Sequence, residues 1–153
     1  MGNEFREKFA GFISDFSDHR NMVLSTSFED RVTSRMMSVI QIDGCFHFQA
    51  DITSRKAEQI LRNKNVSLCI DNIQIDGICE SIGRPLDNEK FCVLFSKHFS
   101  VAYQLYTSLE NERLFKIEPV RIQKWIYENG MPYIEIFDCK NHKYKRTAYV
   151  VEE

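Results

Sequence analysis

The dipeptide Asp43-Gly44 interrupts a long extended stretch and constrains the fold more than any other feature of this chain. Both residues tolerate a positive φ angle, which the type I′ turn of a two-residue β-hairpin requires. Extended segments flank the dipeptide at residues 32–42 and 45–50. In the second segment apolar and polar side chains alternate, as in a strand with one buried face. The pattern predicts an antiparallel hairpin within a β-rich fold.

Other apolar and β-branched runs, bounded by turn residues, predict further strands. They cover residues 22–27, 66–70, 73–82, 114–117 and 134–137. The segments 114–117 and 134–137 are predicted to be the last strands of a barrel, and a tail strand follows them and ends at Val150. Gly77 lies inside one strand and predicts a bulge or a close backbone approach. Many short strands with hairpin signals favour a small closed or partly open barrel over a parallel α/β sheet. The glycine-rich fingerprint of a dinucleotide fold is absent.

Three regions show the apolar spacing of helices. The first is predicted to lie across a barrel opening or a partner subunit, and its stripe is Phe5, Phe9, Phe12, Ile13 and Phe16. The second is short, with Thr53 or Ser54 as its cap and a buried stripe of Ala57, Ile60 and Leu61. The third region comprises two packing helices. The first has Asp87 as its N-cap and an apolar stripe of Phe91, Leu94, Phe95 and Phe99. The second has an apolar stripe of Val101, Leu105 and Leu109.

Size and charge restrict the class of protein. With 153 residues, 43% of them apolar, the chain can bury one sizeable core, and we interpret residues 1–153 as a single domain. The formal net charge of −2 provides no overall basic field for nucleic acid. No apolar run reaches the roughly 20 residues that cross a bilayer, and residues 1–6 lack an apolar signal core. We therefore expect a cytoplasmic protein without nucleic-acid or membrane partners.

The five cysteines and four histidines give little indication of a metal site. No C-x-x-C pair occurs, so we expect free thiols that mostly fill the core. Cys45 and His47 have the spacing of a ligand pair, but no second cluster completes a set of about four ligands. The sequence therefore predicts no metal site. His47 is expected to be a surface or hydrogen-bonded histidine and not a catalytic base.

The turn Thr53-Ser54-Arg55-Lys56 concentrates groups that bind phosphate. It combines two hydroxyls, a guanidinium and an ammonium with the unpaired N–H groups of a predicted helix start. A guanidinium can hold two phosphate oxygens at once, and an ammonium adds a point charge. Taken alone, Ser-Arg-Lys is common on protein surfaces, so the turn needs support from its surroundings.

The surrounding segments supply that support. From residue 22 to residue 70 the chain resembles the pyridoxamine 5′-phosphate oxidase-like family of split barrels that bind flavin mononucleotide (FMN), in its general-stress-protein-like branch. The segments that carry the resemblance are Leu24-Ser25-Thr26, Arg35-Met36-Met37, Asp43-Gly44, Phe46-His47-Phe48, Ser54-Arg55-Lys56-Ala57 and residues 61–66. Residues 77–80 and 115–125 resemble the family more loosely.

The resemblance implies a mainly β fold with flanking helices, an antiparallel six-stranded split β-barrel of Greek key type. It also implies a homodimer with FMN at the subunit interface. The residues that it assigns to the phosphate are Ser54, Arg55 and Lys56. The main chain of Arg35, Met36 and Met37 would border the flavin ring as a wall of the site. Gln49, Ala50 and Asp51 would continue that wall. From the second subunit, Asn72 or Gln74 would hydrogen-bond the flavin, and Trp125 would approach it.

Two departures from the family narrow the expected activity. Authentic pyridoxamine phosphate oxidases carry an Arg-x-His pair shortly after the tryptophan, and residues 126–132 contain no such pair. We therefore do not expect vitamin B6 oxidation. In addition, Gln49-Ala50 stands where a hydroxyl-bearing pair is frequent, which removes candidate phosphate ligands.

Three functions remain open after this comparison of residues. The first is an FMN-dependent oxidoreductase that passes hydride or electrons between a nicotinamide donor and a small acceptor. The second is a non-catalytic flavin-binding or stress-associated module. The third is a split barrel that binds another planar ligand such as haem, although none of the histidines, His19, His47, His98 and His142, has supporting spacing. No catalytic side chain is assigned.

Overall fold

A computed structural model describes residues 3–150, which form an antiparallel sheet with flanking helices. The strands are β1 (His19–Phe28), β2 (Arg31–Ile42), β3 (Cys45–Asp51), β4 (Asn65–Ile70), β5 (Ile73–Ser81), β6 (Glu112–Glu128), β7 (Met131–Asp138) and β8 (Lys143–Ala148). The α-helices are α1 (Asn3–Phe16), α2 (Arg55–Arg62), α3 (Glu89–His98) and α4 (Ser100–Tyr106), and a short 3-10 helix spans Pro85–Asp87. None of these helices is both long and apolar enough to span a membrane.

Six of the strands close into a barrel. The sheet order is β3-β2-β1-β4-β5-β6-β7-β8, and an additional pairing between β3 and β6 closes the ring of the first six. Strand β4 lies beside β1, which is the Greek key arrangement. The predicted six-stranded antiparallel barrel is thus confirmed. Residues 134–137 were wrongly predicted as a barrel strand, because β7 pairs only with β6 and β8 and lies outside the ring.

Strand β6 is much longer than the segment predicted at residues 114–117. Its first part pairs with β3 and its later part pairs with β7. The hairpin that joins β6 to β7 turns at Asn129 and Gly130, with φ angles of 53° and 77°. The predicted hairpin at Asp43 and Gly44 has nearly the same φ angles, 52° and 82°, which confirms its type I′ geometry.

The barrel interior is filled by aromatic and aliphatic side chains. Phe48 of β3 and Phe115 of β6 stack with their ring centroids 5.1 Å apart. Helix α1 adds Phe12 and Phe16 to this core, and the Phe16 ring meets Phe46 edge-on at 5.1 Å. The phenylalanine stripe of the first helix therefore packs against the barrel, as the first of its two predicted alternatives requires.

Gly77 lies at a bulge between β5 and β6, where the register shifts between Asp76 and Gly77. A Cβ atom at this position would lie 2.5 Å from Ile117 Cγ2 and 2.9 Å from the Glu118 carbonyl oxygen. Both the predicted bulge and the predicted close approach are confirmed. Only glycine lets the two strands come this near.

Helix α3 covers the outer face of the barrel. Its Phe91 and Phe95 form a second buried cluster with Ile40 and Leu114. His47 pairs with Ile40 across the ladder and is 5% exposed, so of the two predicted alternatives, a surface or a hydrogen-bonded histidine, the surface position is wrong. Burial lowers the pKa of its imidazole, and Nδ1 has no hydrogen-bond partner within residues 3–150.

Three details of the helices differ from the sequence predictions. The N-cap of α3 is Asn88, whose Oδ1 accepts a hydrogen bond from Phe91 N at 2.9 Å, because Asp87 already belongs to the 3-10 turn. Leu61 is 58% exposed, and the polar Gln59 is buried on α2 instead. Helix α4 has no buried residue, and the stripe that was predicted to pack is exposed at Val101, Leu105 and Leu109.

Candidate functional site

The predicted phosphate turn connects the end of β3 to the start of α2. Asp51 fixes the turn, because its Oδ1 accepts hydrogen bonds from Thr53 N at 2.7 Å and from Thr53 Oγ1 at 2.6 Å. These bonds from Thr53 lower the pKa of the Asp51 carboxyl. Ser54 Oγ donates to the Asp51 carbonyl at 2.7 Å and accepts from Ala57 N at 3.4 Å. Ser54 is therefore the N-cap of α2, one of the two caps that were predicted.

Three cationic side chains converge at this helix start. Arg55 is exposed and Lys56 is half-buried in the first turn of α2, and Arg35 reaches them from β2. Burial lowers the pKa of Lys56, and the positive charge of Arg35 lowers it further. Burial likewise lowers the pKa of Arg35, with a second contribution from Arg55. Arg35 is therefore close enough to repel both Arg55 and Lys56, and an anion between them would relieve that repulsion.

Hydrogen bonds to the barrel wall hold the Arg35 guanidinium in place. Its Nη1 donates to the Leu24 carbonyl at 3.2 Å and to Thr26 Oγ1 at 2.9 Å, and its Nη2 donates to Thr33 Oγ1. Both threonine hydroxyls in turn donate to Gln59 Oε1, at 2.6 Å and 2.7 Å. Gln59 belongs to α2, so this network joins Arg35 to the helix that carries Arg55 and Lys56.

Glu112 is a site residue that the sequence analysis missed. It pairs with Asp51 across the β3–β6 ladder and is only 6% exposed. Burial and the nearby Asp51 charge raise the pKa of the Glu112 carboxyl, whereas Lys56 acts in the opposite direction. The residue lies in the polar stretch Glu110-Asn111-Glu112, which gives no periodic signal of burial. Only the pairing of β6 with β3 reveals its position.

Of the three residues assigned to the flavin wall on β3, Asp51 is exposed, whereas Gln49 and Ala50 present little side chain to a ligand. Gln49 is buried, and its Oε1 accepts a hydrogen bond at 2.8 Å from Thr107, just beyond α4. Ala50 is 4% exposed and belongs to the barrel core. Of the two methionines on β2, Met36 points outward and is 63% exposed, whereas Met37 packs against the core. Their predicted role in holding a flavin ring therefore rests on main-chain groups.

The remaining predicted residues lie on or beside the β5–β6 pair. Asn72 occupies the turn before β5, not the strand itself, and its Nδ2 donates to the Trp125 carbonyl at 2.5 Å. Gln74 is exposed on β5, and Trp125 lies 5.0 Å from the Tyr149 ring. One chain does not bring these residues together with the α2 turn.

Cross-strand pairing measures this separation. Gln74 pairs with Cys69 of β4, Cys69 pairs with Val23 of β1, and Val23 pairs with Met36 of β2. Three strand spacings of about 4.8 Å, roughly 14 Å around the barrel wall, therefore separate Gln74 from Met36. The predicted site residues thus form two groups within one chain.

The amino-acid sequence matches a known protein family across the barrel and the α2 turn. A sequence model described as pyridoxamine 5′-phosphate oxidase matches residues 5–126. The chain belongs to the pyridoxamine 5′-phosphate oxidase-like family. The match extends from α1 through most of β6 and includes the α2 turn. The resemblance drawn from residues 22–70 is therefore confirmed. A search of the curated proteins found no match.

Solved structures show where the pyridoxamine 5′-phosphate oxidase-like fold recurs. General stress protein 26 from Bacillus anthracis is 24% identical, with a TM-score of 0.57 over 76% of this chain and 90% of that one. A pyridoxamine 5′-phosphate oxidase-related, FMN-binding protein from Nostoc punctiforme is 12% identical, with a TM-score of 0.62 over 97% and 94%. HutZ, a haem storage protein from Vibrio cholerae, is 17% identical, with a TM-score of 0.56 over 76% and 86%. At these identities the likeness shows the fold alone.

Proposed function

We propose that this protein binds FMN by its phosphate at the start of α2 and uses the flavin as an oxidoreductase in the cytoplasm. The observation that carries the proposal is the position of Arg55 and Lys56 in the first turn of α2, with Arg35 joined to the same helix by hydrogen bonds through Thr26 and Gln59. Neither Arg55 nor Lys56 has a carboxylate oxygen within 4.0 Å in residues 3–150. Their charges are thus available to a ligand.

A phosphate group suits this environment for three physical reasons. The N-terminus of α2 presents unpaired N–H groups and about half a positive charge. The exposed Arg55 can donate two parallel hydrogen bonds to phosphate oxygens. Burial, and after it the repulsion between the cations, lowers the pKa values of Lys56 and Arg35. A dianion between them would replace that repulsion with attraction. Ser54 serves mainly as the helix cap, so we assign it to the shape of the turn.

The proposal includes a homodimer with FMN at the subunit interface. Asn72, Gln74 and Trp125 lie on or beside the β5–β6 pair, three strands from Met36 on β2, and we propose that the second copy of the chain supplies them to the site. Trp125 and Tyr149 form an aromatic pair there. A planar ring from the partner's cofactor would be a natural neighbour for such a pair.

When bound, FMN supplies hydride and electron transfer, and the protein supplies position and electrostatic environment. We propose a nicotinamide cofactor as donor and a small molecule as acceptor. Oxidation of pyridoxamine phosphate is not proposed, because residues 126–132, which close the β6–β7 hairpin, lack the Arg-x-His pair.

Titration of the purified protein with FMN and with riboflavin tests the cofactor proposal. We expect FMN to bind at least ~100-fold more tightly, because riboflavin lacks the phosphate and so loses several charge-assisted hydrogen bonds, each worth about 1.5–3 kcal/mol. Equal affinity for the two flavins would contradict a phosphate site. A haem spectrum with no flavin binding would instead favour the haem alternative.

Stopped-flow reduction distinguishes an enzyme from a passive flavin module. In the proposed enzyme, NADH or NADPH reduces the bound FMN, and an added acceptor reoxidises it over many cycles. Flavin that binds tightly but is not reduced by either nucleotide would refute the proposed catalysis and would support the non-catalytic alternative.

A further inference from the structure

A cluster of metal-binding side chains lies well away from the α2 turn. Asp18 and His19 stand at the junction of α1 and β1, and His98 is the last residue of α3. One ligand atom from each, Asp18 Oδ1, His19 Nδ1 and His98 Nε2, lies within 4.8 Å of the other two. Thr26, one of the two β1 residues to which Arg35 donates hydrogen bonds, is roughly 23 Å from His19 along the strand at about 3.3 Å per residue.

We propose that Asp18, His19 and His98 bind a divalent transition-metal ion, with Zn²⁺ as the first candidate. Two imidazoles and one carboxylate form a ligand set that Zn²⁺ and Fe²⁺ both use, and three protein ligands leave a position open for water. The fold brings His19 and His98 together from distant parts of the chain, so no spacing rule along the sequence could find this pair.

The distances are close to those that a metal requires. His19 Nδ1 lies 2.8 Å and His98 Nε2 lies 3.2 Å from Asp18 Oδ1. Ligand atoms at about 2.0–2.1 Å from a tetrahedral zinc are separated by roughly 3.3 Å. The two imidazole rings stack, with centroids 3.6 Å apart and planes inclined by 9°. They must tilt for both nitrogens to point at one ion, and the 39% exposure of the Asp18 and His19 side chains leaves room for that movement.

The environment of His98 supports the site. Its Nε2 atom is buried and lies 3.2 Å from Asp18 Oδ1, within ion-pair distance but outside good hydrogen-bond geometry. Buried polar atoms are stabilised by well-directed partners. A metal ion in the cluster would give both Nε2 and the Asp18 carboxylate such a partner.

Rigid elements hold the ligands. The Asp18 carbonyl accepts a hydrogen bond from Gln41 N at 3.0 Å, and Gln41 Nε2 donates to the Ser17 carbonyl at 3.0 Å. Helix α3 is anchored to the barrel by Phe91 and Phe95. A metal ion at this point would connect the C-terminus of α3 to the start of β1, so its binding should stabilise the folded chain.

Calorimetric titration of the EDTA-treated full-length protein with ZnCl₂, in the absence of flavin, tests this site. We expect one Zn²⁺ per chain, a rise in Tm with Zn²⁺, and a visible absorption spectrum of bound Co²⁺. His98→Gln and Asp18→Asn, which keep the side-chain size, should each weaken Zn²⁺ binding by at least ~100-fold and abolish the rise in Tm. Circular dichroism of both variants verifies that they fold.

His142→Ala serves as the matched control, since His142 is an exposed histidine outside the cluster. It should bind Zn²⁺ as the wild-type chain does. If the wild-type chain shows no saturable binding, or if His98→Gln and Asp18→Asn bind as tightly as the wild type, the proposed site is wrong. The outcome is independent of FMN binding.

Discussion

The guanidinium of Arg35 donates a hydrogen bond to the buried hydroxyl of Thr26 across the β1–β2 pair, at 2.9 Å. The same hydroxyl donates to Gln59 Oε1 on α2 at 2.6 Å. Thr26 thus lies between an arginine of the proposed phosphate site and the helix that carries the other two cations. The position of Arg35 should depend on this one hydroxyl more than on any other contact of β1.

Thr26→Val removes the hydroxyl at nearly constant volume. We expect FMN to bind about tenfold more weakly, and the free energy of unfolding to fall by ~1–2 kcal/mol, because one hydrogen bond to a charged group and one to Gln59 are lost. Flavin titration and urea denaturation measure the two effects. Ser25→Ala is the control, since the hydroxyl of Ser25, on the same strand as Thr26, bonds only the Ser34 hydroxyl of β2 within the described residues. Equal FMN affinity in Thr26→Val and Ser25→Ala would show that Arg35 needs no such support.

FMN affinity should depend on the protonation of Lys56. Burial and the charge of Arg35 lower the pKa of this ammonium below its ordinary value. Since only the protonated form attracts phosphate, affinity is complete below that pKa and declines as the pH rises through it. Lys56→Met should bind FMN more weakly at neutral pH and should lose most of the alkaline decline. A decline of the same size in Lys56→Met and in the wild type would assign it to another group.

Gly77→Ala should destabilise the barrel. The added methyl group would meet Ile117 at 2.5 Å and a backbone oxygen at 2.9 Å, so we expect a loss of ~1–3 kcal/mol in the free energy of unfolding. Gly11→Ala is a matched control, because Gly11 lies in α1 with nothing within 4 Å of its added methyl group. This change should stabilise the protein by about 0.5–1 kcal/mol. If both variants unfold like the wild type, the close approach at the bulge has little energetic weight.

The cysteines should differ sharply in reactivity. Cys69 is exposed, whereas burial raises the pKa of Cys79 to about 12 and that of Cys139 to about 11. Because the thiolate is the reactive form, we expect one thiol of the folded protein to react rapidly with a disulfide reagent at pH 8. Cys69→Ser should abolish the rapid phase, and Cys139→Ser should leave it unchanged. A rapid phase that survives in Cys69→Ser would contradict the described burial.

Local chemistry made part of this structure predictable. The hairpin at Asp43-Gly44 and the cap at Ser54 depend on residues adjacent in sequence, and both are confirmed. The six-stranded barrel followed from the strand pattern together with the family resemblance. Asp87 was one position away from the true cap because the preceding 3-10 turn depends on contacts that periodicity does not report.

The predictions that were wrong concern residues whose burial depends on contacts between segments distant in sequence. Leu61 has the spacing of a buried residue, but the barrel end receives Gln59 instead, because two threonine hydroxyls there need an acceptor. Glu112 is buried where β6 pairs with β3, and His47 is buried on β3 between its neighbours β2 and β6. The exposed stripe of α4 has helical periodicity without a packing partner in the described chain.

Flavin titration of a double variant tests the central proposal most directly. Arg55→Ala with Lys56→Ala removes two cations from the first turn of α2. Arg62→Ala with Lys64→Ala removes the same charges from its other end, where both residues are exposed. We expect the first variant to bind FMN at least ~100-fold more weakly, with its affinity for riboflavin unchanged, and the second to bind both flavins as the wild type does. Equal losses in the two variants, or no loss in either, would contradict a phosphate site at the start of α2.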